Sequence, residues 1–220
     1  MGPHLTTTGA SGLAITWHPI LLAPSAPLNA KVRSLIHFDV DMTFAHPIGL
    51  YNPPPVACHP YDPQAPEVAR RLKDLIRSVL PEVEVEHVGS TSVPECPGKG
   101  FIDLMVLYAE GALGATRVGL GTLGFQRQTS RDPFPEERPM RVGTFAHRGK
   151  QYLVHAHVIA INSPEVEELR WFRERLKADE KLRDQYVAEK RGILAAGVSD
   201  SLEYALSKGA FVQRVLAMRD

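Results

Sequence analysis

Cysteine is scarce in this sequence: Cys58 and Cys96 are the only two in 220 residues. Two thiols cannot build a disulfide framework, and no C-x-x-C spacing offers a zinc site. A reducing, cytoplasmic setting fits that usage best. Long apolar runs are also missing. No stretch approaches the roughly 18–20 residues needed to span a bilayer, so no membrane association is expected. The patch Ile20-Leu21-Leu22-Ala23 is short, has no Lys or Arg before Lys31 and is flanked by prolines, so it does not read as a signal peptide. Neither sign of charge is in excess, with Lys plus Arg at 25 and Asp plus Glu at 25. Dedicated nucleic-acid binders show a basic surplus, so nucleic acid is not an expected partner. There is no Walker A loop, no G-x-S-x-G elbow and no Cys–His pairing at informative spacing.

What is present is ordinary in bulk and uneven in order. At 44% hydrophobic and 23% charged residues the composition is that of an ordinary globular protein, and 220 residues suffice for one core or for a domain with an appendage. Residues 1–55 form a Pro-rich N-terminal extension, with prolines at 19, 24, 27, 47, 53, 54 and 55. Only Ser34-Leu35-Ile36-His37-Phe38-Asp39-Val40 has strand character there. Asp39 and Asp41 would share a strand face as a metal pair, but an exposed edge or a poorly ordered arm is the better reading. A true start at Met42 is a further hypothesis, which an intact natural N-terminus upstream of Met42 would remove.

Residues 56–220 carry the periodic signals. Asp62-Pro63 reads as a helix start, and Ala65, Val68, Ala69, Leu72, Leu75, Ile76 and Val79 recur at helical spacing up to Pro81. Residues 82–88 alternate as a strand with Val83, Val85 and His87 on one side. Residues 101–107 are a nearly continuous apolar run, as in a strand covered on both faces. Ala109, Leu113, Thr116, Leu120 and Leu123 mark a glycine-weakened second helix closed by Gly124. A polar loop at 127–140 precedes a hairpin turning at Arg148-Gly149. The remainder is helical: Ser163-Pro164-Glu165, Asp179 and Asp200 open successive helices, the last running through Phe211 to Leu216.

The chemistry concentrates between Val83 and Leu107. His87-Val88-Gly89-Ser90-Thr91-Ser92 ends one strand, a Pro- and Gly-punctuated loop follows, and Asp103 sits inside the next strand. Such an arrangement can hold phosphates beside a metal ion. Glycine lets the backbone approach, Ser90, Thr91 and Ser92 supply donors, Lys99 adds a point charge, and the carboxylate anchors Mg²⁺. Asp103 within an apolar strand needs a partner, and a structural salt bridge or backbone hydrogen bonds would serve as well as a metal or base role. His155 and His157 share a strand face and could converge with Asp103 on a metal or an anion, or be ordinary hydrogen-bonded sheet histidines. His87 is a candidate fourth member. One carboxylate with imidazoles suits a transition metal better than Mg²⁺. Arg170, Arg173 and Lys177 share a helix face that is either solvated or phosphate-binding. Lys190 and Lys208 are further candidate ligand contacts.

These residues resemble a known family. His87-Val88-Gly89-Ser90-Thr91-Ser92-Val93-Pro94 and Lys99-x-Phe101-Ile102-Asp103 are similar to the signature of GrpB-like proteins, a branch of the nucleotidyltransferase superfamily. Tyr61-Asp62-Pro63, His155-Ala156-His157-Val158, Trp171-Phe172-Arg173-Glu174-Arg175-Leu176 with Tyr186 and Lys190, and Tyr204, Lys208 and Phe211 match its other motifs, collinear over residues 56–219. The resemblance implies an α+β polymerase-β-type nucleotidyltransferase fold, a small mixed sheet flanked by helices with a helical C-terminal part. It also implies that Gly89, Ser90 and Asp103 correspond to the superfamily's G-S…D motif. A nucleotide or other phosphorylated small molecule is the implied ligand, with a divalent ion, Mg²⁺ or a transition metal, as cofactor. Fusion of some family members to dephospho-CoA kinase points to nucleotide or cofactor metabolism. The chain departs from the superfamily at Met105, where a second acid is required, and from the family at Glu95-Cys96-Pro97-Gly98. Nucleotidyl transfer to a small molecule, with Asp103, His155 and His157 as the catalytic set, therefore competes with a non-catalytic ligand-binding or accessory module.

Overall fold

The computed structural model describes residues 46–219. The strand read at 34–40, the Asp39 and Asp41 pair and the start at Met42 lie outside the described residues. The first helix, α1 (Ala65–Val79), buries Val68, Ala69, Leu72 and Ile76 at the spacing its sequence sets. It begins later than Asp62-Pro63 suggests: Gln64 takes the cap position, and the proline in the first turn is Pro66. Asp62 accepts a hydrogen bond from Gln64 N, but its other oxygen takes Tyr152 Oη at 2.9 Å and the Lys150 ammonium. It fastens the start of α1 to the sheet instead of capping the helix.

The sheet has the order β1-β2-β5-β4-β3. Its strands are β1 (Glu84–Val88), β2 (Ile102–Tyr108), β3 (Gln126–Arg127), β4 (Met140–His147) and β5 (Lys150–Ala160). β2 and β5 run parallel and the other pairs are antiparallel, so the sheet is mixed. α1 and α2 (Leu113–Thr122) cover one face, where Leu72, Val85, Leu104, Val154 and Val158 pack together. Val88, Met105, Leu107 and Ile159 point the other way, against α3 (Pro164–Ala178). The β4–β5 hairpin turns at Arg148 and Gly149, both at positive φ, the two-residue turn that right-twisted strands favour.

α4 (Glu180–Ala195), α5 (Ser201–Ser207) and α6 (Gly209–Leu216) complete the helical part. Asp179 accepts from Leu182 N, and Asp200 accepts from Leu202 N and Glu203 N, as capping residues do. The last helix is not continuous. It breaks before Gly209, the poorest helix former in the stretch, which leaves Lys208 at the junction. Val93 and Cys96 from the β1–β2 loop are buried with Leu176, Tyr186, Phe211 and Val215. The loop is thus clamped by the C-terminal helices, which fixes its residues relative to the sheet.

Ile48 is 2% exposed within the main core, and Gly49 bridges Thr144. Among the described residues no helix is long and apolar enough to cross a membrane.

Candidate functional site

Gly89 closes β1 at φ +70°, a conformation that disfavours any side chain. A Cβ there would also stand 2.3 Å from Asp103 Oδ2. Both needs explain a glycine: the exposed loop backbone has to lie against the carboxylate. The next residues form a single 3₁₀ turn, Ser90–Ser92. Its hydroxyls have different fates. Thr91 is buried, and its Oγ1 donates to Phe101 O at 2.8 Å. Ser92 Oγ donates to Gly89 O at 2.6 Å. Ser90 Oγ packs over Gly98, where a Cβ would stand 2.3 Å from it, and makes no hydrogen bond among the described residues. Of the three hydroxyls predicted to bind phosphate, Ser90 is the one without an internal partner.

Asp103, His155 and His157 do converge, because β2 and β5 are parallel neighbours with Asp103 beside His155 and Met105 beside His157. One ligand-type atom from each lies within 4.8 Å of the other two. His155 Nδ1 lies 3.2 Å from Asp103 Oδ1. Burial opposes charge on Asp103, but the His155 hydrogen bond and the fields of His155, His157 and Lys99 outweigh it, holding its pKa down at about 2. An ionised carboxylate only accepts, so Nδ1 of His155 carries the hydrogen. In the neutral imidazole Nε2 then presents its lone pair to Tyr51 Oη, 2.7 Å away. Burial, aided by the Asp103 charge, pushes the phenol up to about 12, so Tyr51 keeps its proton and can donate it to that lone pair.

His157 is arranged differently. Its Nδ1 lies 3.2 Å from Nη1 of Arg138, which itself pairs with Glu165. A guanidinium only donates, so this nitrogen accepts and Nε2 holds the hydrogen. Burial, then the Arg138 charge, pushes His157 down to about 3. The Phe134 ring meets its edge at 5.6 Å between centroids. Sequence reasoning missed both Tyr51 and Arg138. Tyr51 lies in a stretch without periodicity, and Arg138 was one of several arginines in a polar loop.

His87 is not a fourth member. Register pairs Val88 with Asp103 and His87 with Leu104, so His87 faces the α1 side of the sheet. Its Nε2 lies 3.0 Å from Thr91 Oγ1, whose own hydrogen goes to Phe101 O, so the imidazole donates. Burial pushes its pKa down to about 4. Arg173 is engaged as well. It reaches Glu86 and His87 O, each at 2.9 Å, while Arg170 pairs with Glu86 and Glu167, and Lys177 with Glu174. That helix face is an ion-pair network against β1.

The lysines behave otherwise. Lys190 is 1% exposed and donates to Pro97 O, with Cys96 Sγ at 3.4 Å and the Tyr186 ring centroid at 4.3 Å. It also borders Gly98, whose Cβ would lie 3.5 Å from Lys190 Nζ and against Ser90 Oγ. Lys99 donates to Ser201 Oγ at 3.1 Å. Lys99 and Lys208 approach one Tyr204 ring, at 5.8 and 4.8 Å from its centroid. Burial pushes all three pKa values down, Lys208 to about 8 with help from Lys99 and Lys190. Among the described residues none of the three has a carboxylate at ion-pair distance.

The donor set can be tested against the metals it was expected to hold. Two-metal chemistry needs paired acids, and the position of the second is filled by Met105, fully buried among Val88, Leu107 and Ile159. Imidazole ligation needs free lone pairs, and those of His155 Nε2 and His157 Nδ1 are already engaged. Asp103 Oδ2, against Gly89, is the oxygen not bonded to His155. One carboxylate fits an Mg²⁺ type of ion that draws its other ligands from phosphates and water.

Known proteins agree with this architecture. A UPF0157 protein of Halalkalibacterium halodurans is 30% identical over 159 residues, which cover 71% of this chain and 78% of that protein. A UPF0157 protein of Vibrio cholerae is 28% identical, with the same two coverages. The crystal structure of the conserved protein GrpB from Enterococcus faecalis superposes with a TM-score of 0.59 at 21% identity, over 74% of this chain and 96% of that one. Likeness to the Cid1 poly(U) polymerase is more distant, with a TM-score of 0.41 at 15% identity, and carries no functional weight. The GrpB protein family model matches residues 55–218, so the chain belongs to the GrpB family.

Proposed function

We propose that the protein binds a nucleotide or another phosphorylated small molecule beside residues 89–92. The supporting observation is the group Lys99, Lys190 and Lys208: three ammoniums at least partly withdrawn from water, Lys190 of them beside Ser90 at Gly98, and none with a carboxylate at ion-pair distance among the described residues. Withdrawing unpaired charges from water is unfavourable, and a bound phosphate would supply the missing counter-charge. Asp103 faces the same loop and would hold a divalent ion that the phosphates also contact. Thermal shift tests this reading. ATP, GTP, CTP or UTP with Mg²⁺ should raise the melting midpoint by mass action, and Lys208→Met should diminish the rise. A flat response to all nucleotides, to inorganic pyrophosphate and to sugar phosphates would sink it.

If a nucleotidyl group is transferred, His155 is the residue suited to be the base. Asp103 orients it, and a hydroxyl already stands 2.7 Å from its Nε2, where an acceptor hydroxyl would have to be. His157, held at a low pKa by burial and Arg138, is not suited to accept that proton. Buried Met105 in place of a second acid favours the other reading, binding without transfer. Pyrophosphate release from a nucleoside triphosphate, assayed against a panel of small hydroxyl acceptors, separates the two.

A further inference from the structure

The segment just before the family-matched residues delivers a side chain into the site. Ile48 is buried against Gly143, where a Cβ would lie 2.2 Å from Ile48 Cγ2, and its N donates to Leu123 O. Gly49 bridges Thr144, and Tyr51 N donates to Gln126 Oε1 at 2.8 Å. These anchors fix the strap on the β3–β4 side of the sheet and aim the Tyr51 phenol at His155. Tyr51 precedes residues 55–218, so it lies outside the family match.

The polarity of the hydrogen bonds gives that phenol a task. Asp103 Oδ1 accepts from His155 Nδ1–H, and with the imidazole neutral Tyr51 Oη donates to the lone pair on Nε2. Arg138 donates to the corresponding lone pair of His157. Each imidazole has one nitrogen that can bind a cation in its neutral state, and both are occupied. Without those two donors, one carboxylate and two imidazoles within 4.8 Å of one another would make a ready transition-metal site.

We propose that Tyr51 sets the metal selectivity of this site, holding the His155 lone pair that Zn²⁺ or Co²⁺ would need and leaving Asp103 Oδ2 for an oxygen-seeking ion. The inference rests on the proposed function only in assigning the site a ligand. Its test uses metal alone, so a failed nucleotide screen and a failed selectivity test are read separately. Tyr51→Phe keeps the ring and removes the donor. The Asp103–His155 contact would remain and would orient Nε2 as a metal ligand, an arrangement common among zinc histidines.

Co²⁺ titration of the full chain, followed by its visible ligand-field absorption, measures the effect. Losing one competing hydrogen bond should tighten Co²⁺ about tenfold in Tyr51→Phe. Adding His155→Ala to Tyr51→Phe should abolish the gain, which excludes stray surface histidines as its source. The Mg²⁺ response should not change. Equal Co²⁺ affinity in wild type and Tyr51→Phe, or a gain that survives His155→Ala, would overturn the proposal. Should Tyr51→Phe fold poorly, nitrogen NMR on the wild type decides. His155 must show a protonated Nδ1 and a bare Nε2, and the opposite tautomer would defeat the idea.

Discussion

The loop between β1 and β2 separates two polar regions built on opposite principles. On the sheet side, Asp103, His155 and Tyr51 form one hydrogen-bonded chain and His157 with Arg138 a neighbouring pair, in which donors meet acceptors and the one carboxylate is held ionised. On the helical side, Lys99, Lys190 and Lys208 are at least partly withdrawn from water with hydroxyl, carbonyl, thiol and aromatic neighbours but no carboxylate at ion-pair distance among the described residues. The first region is complete without a ligand, so truncating it should damage the empty protein. The second holds unbalanced charge, so truncating it should relieve the empty protein and harm only the bound one. The sign of a stability change therefore distinguishes scaffold from binding surface.

The largest expected effect falls where the two regions meet. Gly89→Ala would force a side chain into positive φ and drive its Cβ to 2.3 Å from Asp103 Oδ2. Strain of about 1–3 kcal/mol plus the displaced carboxylate should cost about 3 kcal/mol in urea unfolding. Any nucleotide-induced thermal shift should vanish with it. A Gly89→Ala protein as stable as wild type would mean that the loop does not lie against Asp103.

Next comes Asp103→Ala, which leaves the Nδ1–H of a buried imidazole without its acceptor. An unsatisfied buried donor costs about 1–3 kcal/mol, so destabilisation of about 2 kcal/mol is expected from the same measurement. Asp103→Asn should cost less, because its amide oxygen still accepts from His155. If Asp103→Ala were instead stabilising, Asp103 would belong with the unbalanced charges.

How far the sequence reveals this division depends on what each residue reports. Asp103 and the H-x-H pair were legible because strand alternation sets their faces and a lone acid in an apolar run stands out. Their meeting needed one further fact, the parallel pairing of β2 with β5, which no local pattern encodes. His87 shows the same limit. Alternation already grouped it with Val83 and Val85, but only the register of Val88 opposite Asp103 shows which face that is. Lys190 and Lys208 stood out only through family motifs, since their burial depends on α4–α6 closing over the β1–β2 loop. Tyr51 and Ile48 were illegible. Their stretch is held by a bridge, side-chain contacts and isolated hydrogen bonds, with no period to read.

The smallest effect is the most informative, because its sign is opposite. Lys208→Met removes an ammonium whose burial and neighbours Lys99 and Lys190 disfavour its charge. At pH 7 the empty variant should be more stable than wild type by about 1 kcal/mol, with part of the gain offset by the lost contact with Tyr204. Its affinity for a nucleotide should nonetheless fall about tenfold. The pH dependence carries the same signature. The folded pKa of Lys208, about 8, lies below its ordinary 10.5. Between those values the unfolded chain holds the proton and the folded chain does not. Stability contributed at this position is therefore lowest below pH 8 and recovers as pH rises toward 10.5. Ligand binding should run the other way, weakening as the pH passes 8 and the ammonium is lost. Other thiols, phenols and amines titrate over the same range, so the quantity to measure is wild type minus Lys208→Met, by urea unfolding at several pH values. A difference that is flat with pH would place Lys208 in open solvent and leave the lysine side with no unmet charge for a ligand to satisfy.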